Sequence, residues 1–260
     1  MTNILAFANQ KGGVGKTTSC INLATSVVMS NYRVLVLDLD PQGNATMGSG
    51  VDKNSLDVTM NELLMGEVTA AEAILRNTPA GYDLISANAD LTAAEVALLK
   101  KNNQQQCLAK ALLPIMPNYD FIFLDCPPSL NMLTLNALVA ADSVMIAMQC
   151  EYYALEGLSD LLRTIEQLKT RCNPKLSVFG IIRTMYDGRN RLCLEVSKQL
   201  LQHFGNKVFQ TVIPRNVRLA EAPSYGLPIQ LYEKNSRGAA SYLALANEFL
   251  KRFSKQGKVK

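Results

Sequence analysis

Short runs of apolar residues recur along the chain at Ile4–Ala8, Val34–Leu37, Tyr82–Ile85, Phe121–Leu124, Val144–Met148 and Val178–Ile182. They are rich in β-branched or large apolar side chains, and several stop at Asp, Pro or Gly. That is the pattern of strands buried on both faces. Between them, apolar positions return at the helical period over Thr17–Met29, Leu130–Ala140, Leu155–Leu168 and Leu192–Phe204. The stretch 50–80 is less regular and predicts a helix pair near Met60–Leu64 and Ala70–Leu75. Near the end, Tyr242, Leu245, Phe249 and Phe253 form an i, i+3/i+4 stripe, which predicts a terminal helix packed onto the body. Alternating strands and helices predict an α/β fold, a mostly parallel twisted sheet with helices on both faces. Right-handed crossovers then bring the strand C-terminal ends to one edge, where open α/β sheets bind ligands.

At 260 residues and 48% hydrophobic content, the chain can bury a substantial core. No Pro/Gly/Ser-rich linker divides it, so one domain over residues 1–260 is expected, with 251–260 as a basic tail. The opening MTNILAFAN lacks the basic region and cleavage site of a signal peptide, and only Met1 to Asn3 precede the first strand. No segment approaches the roughly 20 consecutive apolar residues of a membrane span, so no membrane association and a cytoplasmic location are expected. The six cysteines show no C-x-x-C spacing and only His203 could join them, which argues against a zinc site and for reduced thiols.

Charge is distributed unevenly. Residues 1–182 carry 12 basic and 17 acidic groups. Residues 183–218 carry seven basic groups (Arg183, Arg189, Arg191, Lys198, Lys207, Arg215, Arg218) against Asp187 and Glu195, and the last ten residues add five more positives. Such a concentration suits a polyanion-binding face, although scattered solvated charges would read the same way.

Asn9-Gln10-Lys11-Gly12-Gly13-Val14-Gly15-Lys16-Thr17-Thr18 lies between the first strand and the first helix. Glycines there let backbone N–H groups converge on phosphate oxygens, and the N-terminus of the following helix favours the same anion. Lys16 would reach the β/γ-phosphates, and the Thr17 hydroxyl would ligate Mg²⁺. The first glycine of the standard P-loop falls on Gln10, and a second lysine, Lys11, precedes the glycine pair.

Two more strand ends are acidic. Val34–Leu37 runs into Asp38-Leu39-Asp40, whose i, i+2 spacing puts both carboxylates on one face if the strand persists. Phe121–Leu124 runs into Asp125, the pattern of a Walker B strand whose carboxylate holds Mg²⁺ directly or through water. An apolar strand ending in Asp is common by itself; the three motifs in order at strand ends carry the weight.

The K-G-G-x-G-K-T form resembles the deviant Walker A P-loop NTPases, which include ParA/Soj partition proteins, MinD and the nitrogenase iron protein. Asp40–Thr46 (DPQGNAT), Cys126–Leu138, Glu151–Gly157 (EYYALEG), Thr184–Arg189 (TMYDGR) and Val212–Ser224 (VIPRNVRLAEAPS) resemble the ParA/Soj members in particular, least over residues 50–115. The resemblance implies an ATPase that uses ATP and Mg²⁺. In it, Lys11 crosses a dimer interface to the partner's nucleotide, Lys16 acts in cis, and Gly12 to Thr18 bind phosphate. It further implies that Asp40 positions the attacking water, that Asp38 supports the Mg²⁺ site or the switch, and that Pro214 and Asn216 lie beside the base. Arg189 and Arg218 are implied in contacts with double-stranded DNA of any sequence, in an ATP-dependent homodimer that coats the nucleoid. A ParB-like centromere-binding protein is the implied trigger of hydrolysis, in segregation of a chromosome or plasmid. The alternatives are a MinD-like membrane-associated ATPase, a ParA-like positioner of a protein cargo, and a non-enzymatic DNA-binding scaffold. A redox role like that of the nitrogenase iron protein is disfavoured, since no cysteine falls in a cluster-ligand motif.

Overall fold

The fold is described here from a computed structural model, over residues 2–100 and 104–255. Seven strands make one sheet: β1 (Asn3–Phe7), β2 (Val34–Asp38), β3 (Asp83–Ile85), β4 (Phe121–Asp125), β5 (Ser143–Gln149), β6 (Ser177–Tyr186) and β7 (Val208–Pro214). Their order across the sheet is β3-β2-β4-β1-β5-β6-β7, and every pairing is parallel. Interleaved with them are α1 (Lys16–Val28), α2 (Asn44–Gly48), α3 (Met60–Met65), α4 (Ala70–Ala73), α5 (Leu91–Leu98), α6 (Cys107–Leu112) and α7 (Met132–Ala140). Then come α8 (Ala154–Arg171), α9 (Arg191–Phe204), α10 (Val217–Glu221), α11 (Ile229–Tyr232) and α12 (Arg237–Lys255).

The two-residue period of the strands sorts their side chains into two cores. Ile4, Ala6, Leu35, Leu37, Ile122 and Leu124 pack on one face with α3 to α9. Leu5, Phe7, Val34, Val36, Phe121 and Phe123 pack on the other with α1 and α12. The terminal stripe behaves as its period predicts: Tyr242, Leu245, Phe249 and Phe253 are all buried, and the Tyr242 hydroxyl meets Ser19 Oγ of α1 at 3.2 Å. Residues 256–260 of the expected basic tail lie outside the described residues.

Two strand readings needed tertiary information. β7 is an edge strand with Gln210 exposed and Thr211 half-buried, so it lacks the uninterrupted apolar run of a central strand. Its outer edge is covered by α12: Gln210 and Thr211 N–H groups donate to Glu248, and the Arg252 guanidinium donates to the carbonyls of Asn206 and Val208. β6 runs four residues past Ile182, through Arg183 and Thr184, both buried. Arg183 is held inside by bonds to Ser197 Oγ and the carbonyls of Phe209 and Gln210. Counted from sequence as part of a basic face, it contributes nothing to the surface.

Candidate active site

Strand C-terminal ends converge on a cleft of about 970 Å³. After β1 the chain turns through the glycine loop into α1. Gly15, the residue before the helix, sits at φ 84°, a left-handed conformation that a side chain would strain, and its Cα faces Thr184 of β6. Thr184 Oγ1 donates to the Val14 carbonyl at 2.7 Å, which pins the loop to the end of a strand two places away. Sequence reasoning did not single out Thr184. Its signals were a place at the head of the TMYDGR stretch and a polar residue prolonging an apolar strand.

The floor of the cleft is buried and charged. Thr17 Oγ1 donates to Asp125 Oδ2 at 2.7 Å, joining the two motifs expected to share a metal. Asp125 and Asp38 are register partners on adjacent strands, and both are fully buried. Burial, then the neighbouring Asp38 carboxylate, pushes the Asp125 carboxyl up; burial likewise raises Asp38, to about 6, against hydrogen bonds that favour its charged form. Asp125 Oδ1 has no hydrogen-bond partner among the described residues. The buried Asp125 carboxylate with its orphaned oxygen, and the adjacent Thr17 hydroxyl, form a hard oxygen set that suits Mg²⁺. That ion takes few protein ligands and leaves the rest to water and phosphates.

Lys16 is buried beside this pair. Its pKa is lowered by burial, with the charges of Asp125 and Asp40 working the other way, and its ammonium donates to the Lys11 carbonyl at 3.2 Å. The two acids after β2 part company, because the strand ends at Asp38 instead of persisting to Asp40. Asp38 turns inward and accepts from Thr46 N, Thr46 Oγ1 and Asp40 N, fastening the loop to the strand. Asp40 stays partly exposed and lines the cleft. Gly43 lets that loop turn: a Cβ there would stand 2.6 Å from the Ala87 carbonyl.

Of the residues expected from sequence, Gly12, Gly13, Gly15, Lys16, Thr17, Thr18, Asp40, Pro214 and Asn216 line the cleft. Asn216 also caps α10 by accepting from Leu219 N. Val14 is buried behind the loop, and Pro128, Met185 and Arg215 are lining residues that fell within the family-like stretches but had no role assigned to them.

Lys11 does not line the cleft. Half exposed, it pairs with Glu151 in the loop after β5. Arg189 and Arg218 follow adjacent strands, β6 and β7, and both are exposed. Each is tied to a nearby carboxylate, Arg189 to Asp187 at 3.0 Å and Arg218 to Glu221 at 2.8 Å. Among the described residues no helix is long and apolar enough to cross a membrane.

Residues 2–178 match the family described as an AAA domain. A protein of Caulobacter vibrioides named chromosome partitioning protein ParA is 47% identical, over 96% of this chain and 94% of its own. The Bacillus subtilis protein named sporulation initiation inhibitor protein Soj is 46% identical, over 95% of this chain and 98% of its own. Among solved structures, one named cobyrinic acid a,c-diamide synthase, from Mycobacterium smegmatis with bound ATP analogue and magnesium, superposes with a TM-score of 0.86. It is 36% identical, and the match covers 99% of this chain and 97% of that one.

Proposed function

The chain belongs to the ParA/Soj family of chromosome-partitioning ATPases, and from that premise we propose a cycle of ATP-driven dimerisation on DNA. ATP with Mg²⁺ closes a homodimer, the dimer holds double-stranded DNA without reading its sequence, and a ParB-like partner stimulates hydrolysis and release. The whole chain acts as one ATPase domain, in the cytoplasm on the nucleoid. The observation that carries this reading is the division of labour between the two loop lysines, Lys16 inside its own cleft and Lys11 outside it.

The roles follow from position. Backbone N–H groups of the Gly12–Thr18 loop and the Lys16 ammonium take the phosphates. Thr17 Oγ1 and Asp125 would hold Mg²⁺, directly or through water, and the ion would supply neutralisation of charge on the phosphate oxygens. Asp40, free to face the cleft, orients the attacking water. Asp38 has both oxygens committed to Asp40 and Thr46, so it acts by positioning the Asp40 loop. Pro214 and Asn216 border the base. Lys11 exchanges Glu151 for a phosphate of the second copy, adding positive charge where the transferring group needs it. Arg189 and Arg218 exchange Asp187 and Glu221 for DNA phosphates, contacts that carry no sequence information. Burial of Phe249 and Phe253 leaves the α12 stripe no apolar face for a membrane, against the MinD-like alternative.

Light scattering with ATP and the Lys11→Ala variant tests the division. The variant should bind ATP one subunit at a time, fail to form the closed dimer and fail to hydrolyse. Normal dimerisation with turnover would remove Lys11 from the mechanism.

A further inference from the structure

β5 ends at the same edge as the strands that build the cleft, yet none of its residues, nor those of the loop after it, lines that cleft. The loop is nonetheless well braced. Glu151 N donates to the Gln149 carbonyl at 2.9 Å, and Ala154 N donates to the Glu151 carbonyl at 3.1 Å. It carries Tyr152 and Tyr153, which are 72% and 70% exposed. Their rings stand edge to face, 5.0 Å between centroids and 90° between planes. Single exposed apolar residues such as Leu113 need no explanation. A mutually packed aromatic pair next to the ion pair of a functional lysine is different, because whatever that lysine docks against meets the rings as well.

We propose that Tyr152 and Tyr153 are the apolar anchors of the dimer, buried against a second copy of this chain when ATP is bound. This rests on the reading of Lys11 as acting across the interface. Lys11, held outside its own cleft by Glu151, is placed to meet a phosphoryl group of a second molecule once that pair opens. Docking Lys11 there brings the loop beside it, which carries Glu151 and the two tyrosines that follow it, up to the second copy as Lys11 leaves Glu151 for the phosphate. Both faces of the contact then meet at once: the basic side chain enters the partner's phosphate site, and the rings leave water beside it. Tyrosine suits the task, since a rigid ring buries much area at small entropic cost, and aromatic anchors flanked by polar groups are the usual hot spots of interfaces.

The chain contains no tryptophan, so Tyr152→Trp or Tyr153→Trp each installs a single emitting probe. With a non-hydrolysable ATP analogue, at concentrations where light scattering reports dimer, the emission should shift to the blue and become protected from acrylamide. With ADP it should do neither. The Tyr152→Ala, Tyr153→Ala double variant should weaken the analogue-bound dimer by about thirtyfold or more, with one-subunit analogue binding unchanged. The corresponding double Phe variant should retain the dimer. A tryptophan that stays fully quenchable in the dimer, or a double alanine variant that dimerises as tightly as wild type, overturns the proposal. Wild type that stays monomeric with the analogue would instead sink the Lys11 reading itself.

Discussion

The floor and the rim of the cleft hold their charges in opposite ways. On the floor, Lys16, Asp38 and Asp125 are buried, and their neighbours are fixed by the sheet. At the rim, Lys11, Arg189 and Arg218 are exposed, each resting on a carboxylate of its own chain, Glu151, Asp187 or Glu221. Removing one member of a buried cluster leaves an uncompensated charge out of water, which is expensive. An exposed pair contributes little, because water and salt replace either partner readily. The floor is therefore preorganised for one chemistry, whereas the rim cations are on loan. Any anion of higher charge, such as a phosphate, can take them from their carboxylates.

The sharpest way to break this comparison is on the floor. Lys16→Ala should abolish tight ATP binding in a nucleotide filter assay, since no rim cation can replace the cis counter-ion. Asp40→Ala should bind ATP and dimerise but turn over about 10²–10⁴-fold more slowly, the usual effect of losing one positioned acid or base group. Single-turnover kinetics at the wild-type rate would remove Asp40 from the chemistry.

Effects at the rim should be smaller and salt-dependent. A dimer presents four of the two arginine types together. With about 0.9 counterions released per phosphate contact, the log–log salt slope should be near −3.6, falling to about −1.8 when Arg189→Glu or Arg218→Glu leaves two contacts. The loss should be equal for unrelated duplexes in filter binding across a salt series. The converse variants, Asp187→Asn and Glu221→Gln, should tighten DNA binding by a few-fold at most, roughly the worth of an exposed pair. An unchanged slope would show that the DNA face lies elsewhere.

The smallest expected effect lies away from the cleft. Burial acts to raise the pKa of Glu248, but hydrogen bonds from Thr211, Gln210 and Arg252 outweigh it and hold the carboxyl below its usual value. A depressed acid stabilises the fold above its unfolded pKa of about 4.3, and that stability is lost as pH falls through the folded value. Glu248→Gln should therefore melt on the order of 2 °C lower than wild type at neutral pH. As pH falls below the unfolded value and through the lower folded one, the two melting curves should converge; a constant offset would assign the effect to packing.

Central strands and long helices were legible in the sequence because a buried parallel strand is apolar throughout and an amphipathic helix repeats at a fixed period. The same local patterns marked Lys16, Thr17 and Asp125, since a phosphate loop and a strand ending in an acid are chain-local features. Arg183 and Thr184 looked like the end of β6 because their burial depends on Ser197, Phe209 and Val14, distant partners that no window contains. Asp38 and Asp40 read as a pair on one face. The strand's end and three hydrogen bonds turned Asp38 inward and left Asp40 to the cleft. Likewise the two loop lysines are equivalent as letters. Only the fold decided that one is buried over Asp125 and the other held outside by Glu151. Composition and period report what a residue's own segment can bury; which charge meets which is set by the sheet order, and that exists only once the chain has folded.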